Sequence, residues 1–197
     1  LLSCQAATPP WVMDLKSNAG AYRQQMQVDE PVDVRWFGAV GDGVTDDTAA
    51  IQAAHAAALE VVYPNGIYYL ANNATITGSI KMLPNARFKV LATKTLTINA
   101  VVVANINQYI FEGNSIAFSG TFGNVDLYAD WFGAVADSTL SASPTGTDSG
   151  IAINKAIVAA NNGATKYGTV ILNSGVYLII TPIVSNTAGI SIKGSGK

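Results

Sequence analysis

Trp36-Phe37-Gly38-Ala39-Val40-Gly41-Asp42 is used twice by this chain. Trp131-Phe132-Gly133-Ala134-Val135-Ala136-Asp137 repeats it 95 positions later, with five identities in a row and then an Asp. Self-similarity is read before local propensity, because a missed repeat misreads the fold. Beyond this aromatic motif, Thr45-Asp46-Asp47-Thr48-Ala49-Ala50-Ile51-Gln52 lines up with Thr147-Asp148-Ser149-Gly150-Ile151-Ala152-Ile153-Asn154. The offset has grown to 102 through a polar, loop-like insertion around Ser138 to Gly146. Both copies then cross an Ala-rich segment and reach a strand signal, Pro64-Asn65-Gly66-Ile67-Tyr68 in one and Asn173-Ser174-Gly175-Val176-Tyr177 in the other. Each copy reads as aromatic motif, turn, helix, turn, strand.

The helices are predicted from their starts and their stripes. Thr45 or Asp46 is placed to accept the unpaired N–H groups of a first turn, with Asp46 and Asp47 facing the positive end of the helix dipole. Thr147 and Asp148 repeat that chemistry. Ile153, Ala156, Ile157 and Ala160 fall at i, i+3, i+4 and i+7, one apolar stripe, and Asn161-Asn162-Gly163 supplies a stop. Such a helix is expected to lie as a lid over an apolar surface.

Between the copies, short strands are expected at Ile76–Met82, Arg87–Leu91, Thr95–Ile98, Val101–Val103, Tyr109–Phe111 and Ser115–Phe118. Phe88-Lys89-Val90 and Leu96-Thr97-Ile98 alternate apolar and polar, as strands with one buried face do. Gly78, Pro84-Asn85, Asn99, Asn105 and Gly113-Asn114 break them. Strands at this spacing without intervening helices fit a β-sandwich-like module or the coils of a solenoid. Val170-Ile171-Leu172 and Val176 to Ile180 are apolar on both faces and are read as core strands. Ile190-Ser191-Ile192-Lys193 begins another coil, so the chain is expected to be an opening part, with more coils beyond Lys197.

Composition narrows the function classes. Eleven Lys and Arg against thirteen Asp and Glu give a net charge of −2 with no basic block, which argues against nucleic acid as a partner. One Cys, Cys4, and one His, His55, leave no disulfide framework and no Cys or His cluster for a metal. No apolar run reaches the length of a membrane span.

Trp36 through Ala54 closely resembles the N-terminal signature of the pectate-lyase-like superfamily, and Leu127-Tyr128-Ala129-Asp130-Trp131 looks like the junction at which such proteins pass from a small β-rich module into their main helix. The resemblance implies a mainly β fold: a β-rich module followed by the N-terminal start of a right-handed parallel β-helix, each opened by a short capping α-helix. It divides the chain into a lead-in helix or linker over 1–30, a first β-rich module over 31–130 and the start of the main helix over 131–197. Family members include secreted polysaccharide lyases, polygalacturonase-like hydrolases and bacteriophage tailspikes. The tailspike branch is the best fit for a low-charge chain rich in Asn, Thr, Val and Gly. That implies a homotrimer on the virion tail, held to tail or baseplate proteins through its N-terminus and acting on bacterial surface polysaccharide, with catalytic carboxylates on coils beyond Lys197. A non-catalytic tail adaptor and a secreted bacterial polysaccharide lyase or hydrolase are the rival readings.

No residue is assigned a catalytic, cofactor-binding or metal role, and no cofactor is expected. Asp42, Asp46 and Asp47 invite a glycosidase reading through paired carboxyls. Asp42-Gly43 has turn chemistry, however, and Asp46-Asp47 has cap chemistry, which gives each acid a structural use. His55 aligns with Ile157 on the apolar stripe, so it is read as a packing residue rather than a base. Gly41-Asp42-Gly43 and Gly194-Ser195-Gly196-Lys197 lack the strand, spacing and helix of a phosphate loop. Tyr68, Tyr69 and Tyr109 are read as core or subunit contacts before sugar platforms.

Overall fold

The computed structural model describes residues 31–119, 126–161, 168–185 and 189–195. The expected lead-in helix from Val12 to Gln27 and the Asn162-Gly163 stop lie outside the described residues.

The chain visits three parallel sheets in rotation. β1 (Val32–Asp33), β3 (Glu60–Tyr63), β6 (Ser79–Met82) and β9 (Val102–Val103) build the first. β2 (Asp42–Asp46), β4 (Gly66–Leu70), β7 (Ala86–Val90) and β10 (Phe111–Glu112) build the second. β5 (Ala74–Thr77), β8 (Leu96–Asn99) and β11 (Ile116–Phe118) build the third. From β3 to β8, each strand pairs with the strand three places further on in the chain, so each circuit of three strands lies on the last. A fourth parallel sheet holds β12 (Asp126–Tyr128), β13 (Thr169–Leu172) and β14 (Ser191–Gly194), which reproduces the β1, β3, β6 order in the second copy.

Parallel stacking in register puts like residues above like. Tyr68, Phe88 and Phe111 form one inward row, and Ile76, Ile98 and Phe118 another. The alternation read from the sequence is the alternation of burial: in β7, Ala86, Phe88 and Val90 are buried while Arg87 and Lys89 point outward. Tyr63 meets Phe88 edge-on at 4.8 Å, Phe88 stacks on Phe111 at 6.2 Å, and Phe111 touches Phe132 of the second aromatic motif at 5.3 Å. One apolar column thus runs through the junction between the copies.

Two α-helices are described. α1 (Thr48–Ala57) buries Ile51, Ala54 and His55 against the first aromatic motif and β5; α2 (Gly150–Asn161) buries Ile153, Ala156 and Ile157 against β11 and the second motif. Both are the lids that the stripes predict.

Some expectations need correction. Ile76–Met82 is two strands, because Gly78 turns the chain at φ +86° where a Cβ would stand 2.6 Å from the Leu59 carbonyl oxygen. Val176–Ile180 is not a core strand: it contributes a single bridge, Asp148 to Leu178, and Ile179 and Ile180 are exposed. Apolar character alone did not show that this segment runs along the rim.

Candidate functional site

The acids that follow each aromatic motif come first, because they are the obvious catalytic candidates. Asp47 is buried, and its two oxygens accept the N–H groups of Val40 (2.6 Å), Gly41 (3.2 Å) and Tyr69 (3.2 Å). It ties aromatic motif, helix start and β4 together. Asp46 does the capping: Oδ1 accepts from the Thr48 N–H at 3.0 Å and the Ala71 N–H at 3.1 Å, and Oδ2 from the Asn72 amide at 3.0 Å. The N-cap position itself belongs to Asp47, whose side chain caps nothing. Thr45 accepts no cap bond; its N–H and hydroxyl both donate to Asp42, which closes the turn.

The second copy keeps this scheme. Asp137 accepts from the Thr147 N–H and hydroxyl, as Asp42 does from Thr45. Asp148 accepts from Gly150, Ile180 and the Thr181 N–H and hydroxyl, and the Thr181 hydroxyl above all holds its carboxyl down at about 2. Ser149 replaces Asp47: its Oγ accepts the Val135 N–H at 3.0 Å and donates to the Val135 carbonyl at 2.9 Å. Asp42, Asp46 and Asp137 are likewise held below the usual carboxylate range, by Thr45, Thr48 and Thr147 respectively. These acids are ionised turn posts with both oxygens committed, which is poor chemistry for a nucleophile or proton carrier.

His55 is buried with Nδ1 2.9 Å from the Thr77 carbonyl oxygen and Nε2 2.8 Å from the Tyr63 hydroxyl. The carbonyl accepts only, so Nδ1 carries the proton and Nε2 accepts from Tyr63. Burial pushes the imidazole down to about 4, so it is neutral and sealed at neutral pH.

Side chains capable of meeting a ligand collect on the outer face of the β2-β4-β7-β10 sheet and continue across α2. Lys89 lies 5.4 Å over the Tyr69 ring and donates to the Gly43 carbonyl. Arg87 pairs with Glu112 at 3.2 Å and lies 5.6 Å over Tyr109. A hollow of about 360 Å³ is lined by Tyr69, Lys89, Glu112 and Lys155 among others, and a second of about 560 Å³ by Tyr109, Asp130, Asp148 and Lys155. Lys155 borders both and makes one interrupted groove of them. Of the three tyrosines read as core or subunit contacts, Tyr68 is in the core, while Tyr69 and Tyr109 line the two hollows.

Asp130 was not singled out by sequence reasoning. Its carboxyl is half-buried, is raised above the usual range by that burial, and accepts from the Tyr177 hydroxyl at 3.2 Å. Tyr177 is itself pushed up to about 12 by burial and by the Asp130 charge beside it. The available signal was a break in the repeat: the first copy has Arg35 at this place, ion-paired to Asp33 at 2.6 Å. A glycosidase needs two working carboxyls. Of the acids lining the second hollow, Asp148 has both oxygens engaged by backbone N–H groups and the Thr181 hydroxyl, which leaves Asp130 as the carboxyl with free capacity there. Among the described residues no group of three or more His, Cys, Asp or Glu is placed to hold a metal, and no helix is long and apolar enough to cross a membrane.

A family profile described as rhamnogalacturonase A/epimerase, pectate lyase-like, matches residues 32–137. The chain belongs to this pectate-lyase-like family. The matched span covers the first opening, every circuit stacked on it, and the second aromatic motif through Asp137; α2 and the strands after it extend the same pattern past the match. No curated protein and no solved structure matches the chain.

Proposed function

We propose that this chain is the attachment and assembly part of a tailspike-type protein, a right-handed parallel β-helix that binds and depolymerises bacterial surface polysaccharide. The observation that carries the reading is the pair of stacked openings, each an aromatic motif roofed by a helix, joined by circuits of parallel strands. Parallel strands linked through other strands cross over right-handed in nearly all proteins, which supports the helical sense. Pectate-lyase-like membership supports a glycan as the target, and the aromatic groove supports contact with one. Cleavage is assigned to further coils of the parent protein, because Asp42, Asp46, Asp47, Asp137 and Asp148 all have their oxygens engaged in turns.

Static light scattering on the purified chain is the test. A mass three times the 20.5 kDa of one chain is expected. A monomer across the accessible concentration range overturns assembly by this part and favours a secreted monomeric enzyme.

A further inference from the structure

The hollow of about 560 Å³ beside α2 has the size of a small-molecule site, about 300–1,000 Å³. Its wall carries the exposed apolar side chains of Val135 and Ile151 and three charged groups, Asp130, Asp148 and Lys155. Asp148 has both oxygens taken by Gly150, Ile180 and Thr181. Asp130 accepts from the Tyr177 hydroxyl on Oδ2 and from the Asn173 amide, and a carboxylate has room for about four donors, so it keeps acceptor capacity. Among the described residues no ion pair or hydrogen bond holds the Lys155 ammonium. Asn107, also in the wall, gives its Oδ1 to the Asn173 amide and keeps its own NH₂ as a donor.

The first opening shows that the fold does not need these groups. Arg35 stands at the place of Asp130 and Ala53 at that of Lys155, while Asp46 accepts from the helix start as Asp148 does. Tyr68, the counterpart of Tyr177, is in the core and donates to the Pro64 carbonyl instead of to a carboxylate. An acceptor and a cation therefore face one hollow at the second opening alone, and neither side chain caps a helix or closes a turn.

We infer that this hollow is a binding site for a neutral sugar unit, held through its hydroxyls by Asp130 and Lys155, and that it discriminates against carboxylated sugars. Two carboxylates face one ammonium there, a balance of −1 when all are ionised. A ligand carboxylate would meet two like charges and one opposite, which favours an uncharged unit. Neighbouring sugar hydroxyls are donors suited to the remaining lone pairs of Asp130, and Lys155 and Asn107 supply donors to sugar oxygens. Ile151 and Val135 give the C–H face of the ring an apolar surface. The hollow on the other side of Lys155 has the opposite balance, since Lys89 and Lys155 outnumber Glu112. That the ligand is a sugar rests on the polysaccharide reading proposed above; the preference for an uncharged unit comes from the groups in the wall.

The test is titration of the ¹⁵N-labelled full chain, followed through its amide nuclear magnetic resonance signals, with three matched pairs of probes. These are the methyl glycosides of glucose and glucuronate, galactose and galacturonate, and mannose and mannuronate. At least one neutral glycoside is expected to shift the Ala134, Ala136 and Ala152 signals and to bind several-fold more tightly than its carboxylated partner. Asp130→Asn should weaken the neutral glycoside several-fold while narrowing its lead over the carboxylated one, which a merely structural role would not do. Lys155→Gln should weaken both members of the pair. Unmoved β7 and β8 signals report that each variant is folded; should Asp130→Asn fail to fold, Lys155→Gln decides, and unchanged affinity in it overturns the site. No shift in the hollow with any probe, tighter binding of the carboxylated partners, or affinities indifferent to Asp130→Asn also overturns it. A trimer that takes no sugar here strikes this site and leaves assembly standing, whereas a monomer that takes a neutral sugar strikes assembly and leaves the site.

Discussion

The N–H groups of Val40 and Val135 occupy the same place in the two openings, and each finds a side-chain oxygen, from Asp47 in the first and Ser149 in the second. Asp47 also collects Gly41 and Tyr69, whereas Ser149 returns its proton to the Val135 carbonyl. The aromatic motifs around them are equally alike in sequence and unlike in setting, Trp131 packed and Trp36 open. The opening therefore requires an oxygen at one point and an aromatic at another; charge and burial are set by what lies next to it.

Truncating the two tryptophans stretches that contrast furthest. Trp131→Ala is expected to cost about 3–5 kcal/mol in urea-induced unfolding, the range for removing a large buried aromatic. Trp36→Ala should cost under about 1 kcal/mol if its ring stays in water, since exposed substitutions away from special features do little. A loss approaching that of Trp131→Ala would mean that Trp36 is covered rather than open.

The helices differ where His55 stands in the first copy and Ile157 in the second. Folded His55 titrates at about 4 against an ordinary value of 6.5, so between those values the unfolded chain binds a proton that the folded chain refuses. Its contribution is intact above pH 6.5, falls as pH drops to 4, and levels out below; the span corresponds to about 3 kcal/mol. His55→Ile, the residue of the second copy, should flatten that part of the stability curve measured by denaturant titration at successive pH values. An unchanged slope would show that His55 is not what the acid attacks.

A smaller difference is expected at the shared oxygen. Asp47→Ala strands three N–H groups and should cost about 2–3 kcal/mol, while Ser149→Ala strands one and should cost about 1 kcal/mol. Asp47→Ser should fall between them by the same unfolding assay. Equal losses at both sites would mean that the bonds to Gly41 and Tyr69 contribute little.

The repeat, the lids and the alternating strands were legible because they rest on periodicity and on turn residues whose backbone needs are local. Gly78 was visible as a break, yet only the nearness of the Leu59 carbonyl explains why two strands meet there. That Ser149 takes over from Asp47 was not legible, since the sequence does not reveal that a hydroxyl reaches the same N–H. Asp130 was read only as part of the junction motif, because its setting comes from Tyr177, 47 residues away, and from partial burial that exists only after stacking. The rim position of Ile179 and Ile180 was hidden because an apolar run looks the same inside a core and along its edge.

The in-register rows, Tyr68 over Phe88 over Phe111, make the molecule a ruler whose graduations are interchangeable. Because each circuit meets only its neighbours, one can be duplicated or lost and the rows on either side still meet like with like. Length then becomes something that can vary without redesigning the core.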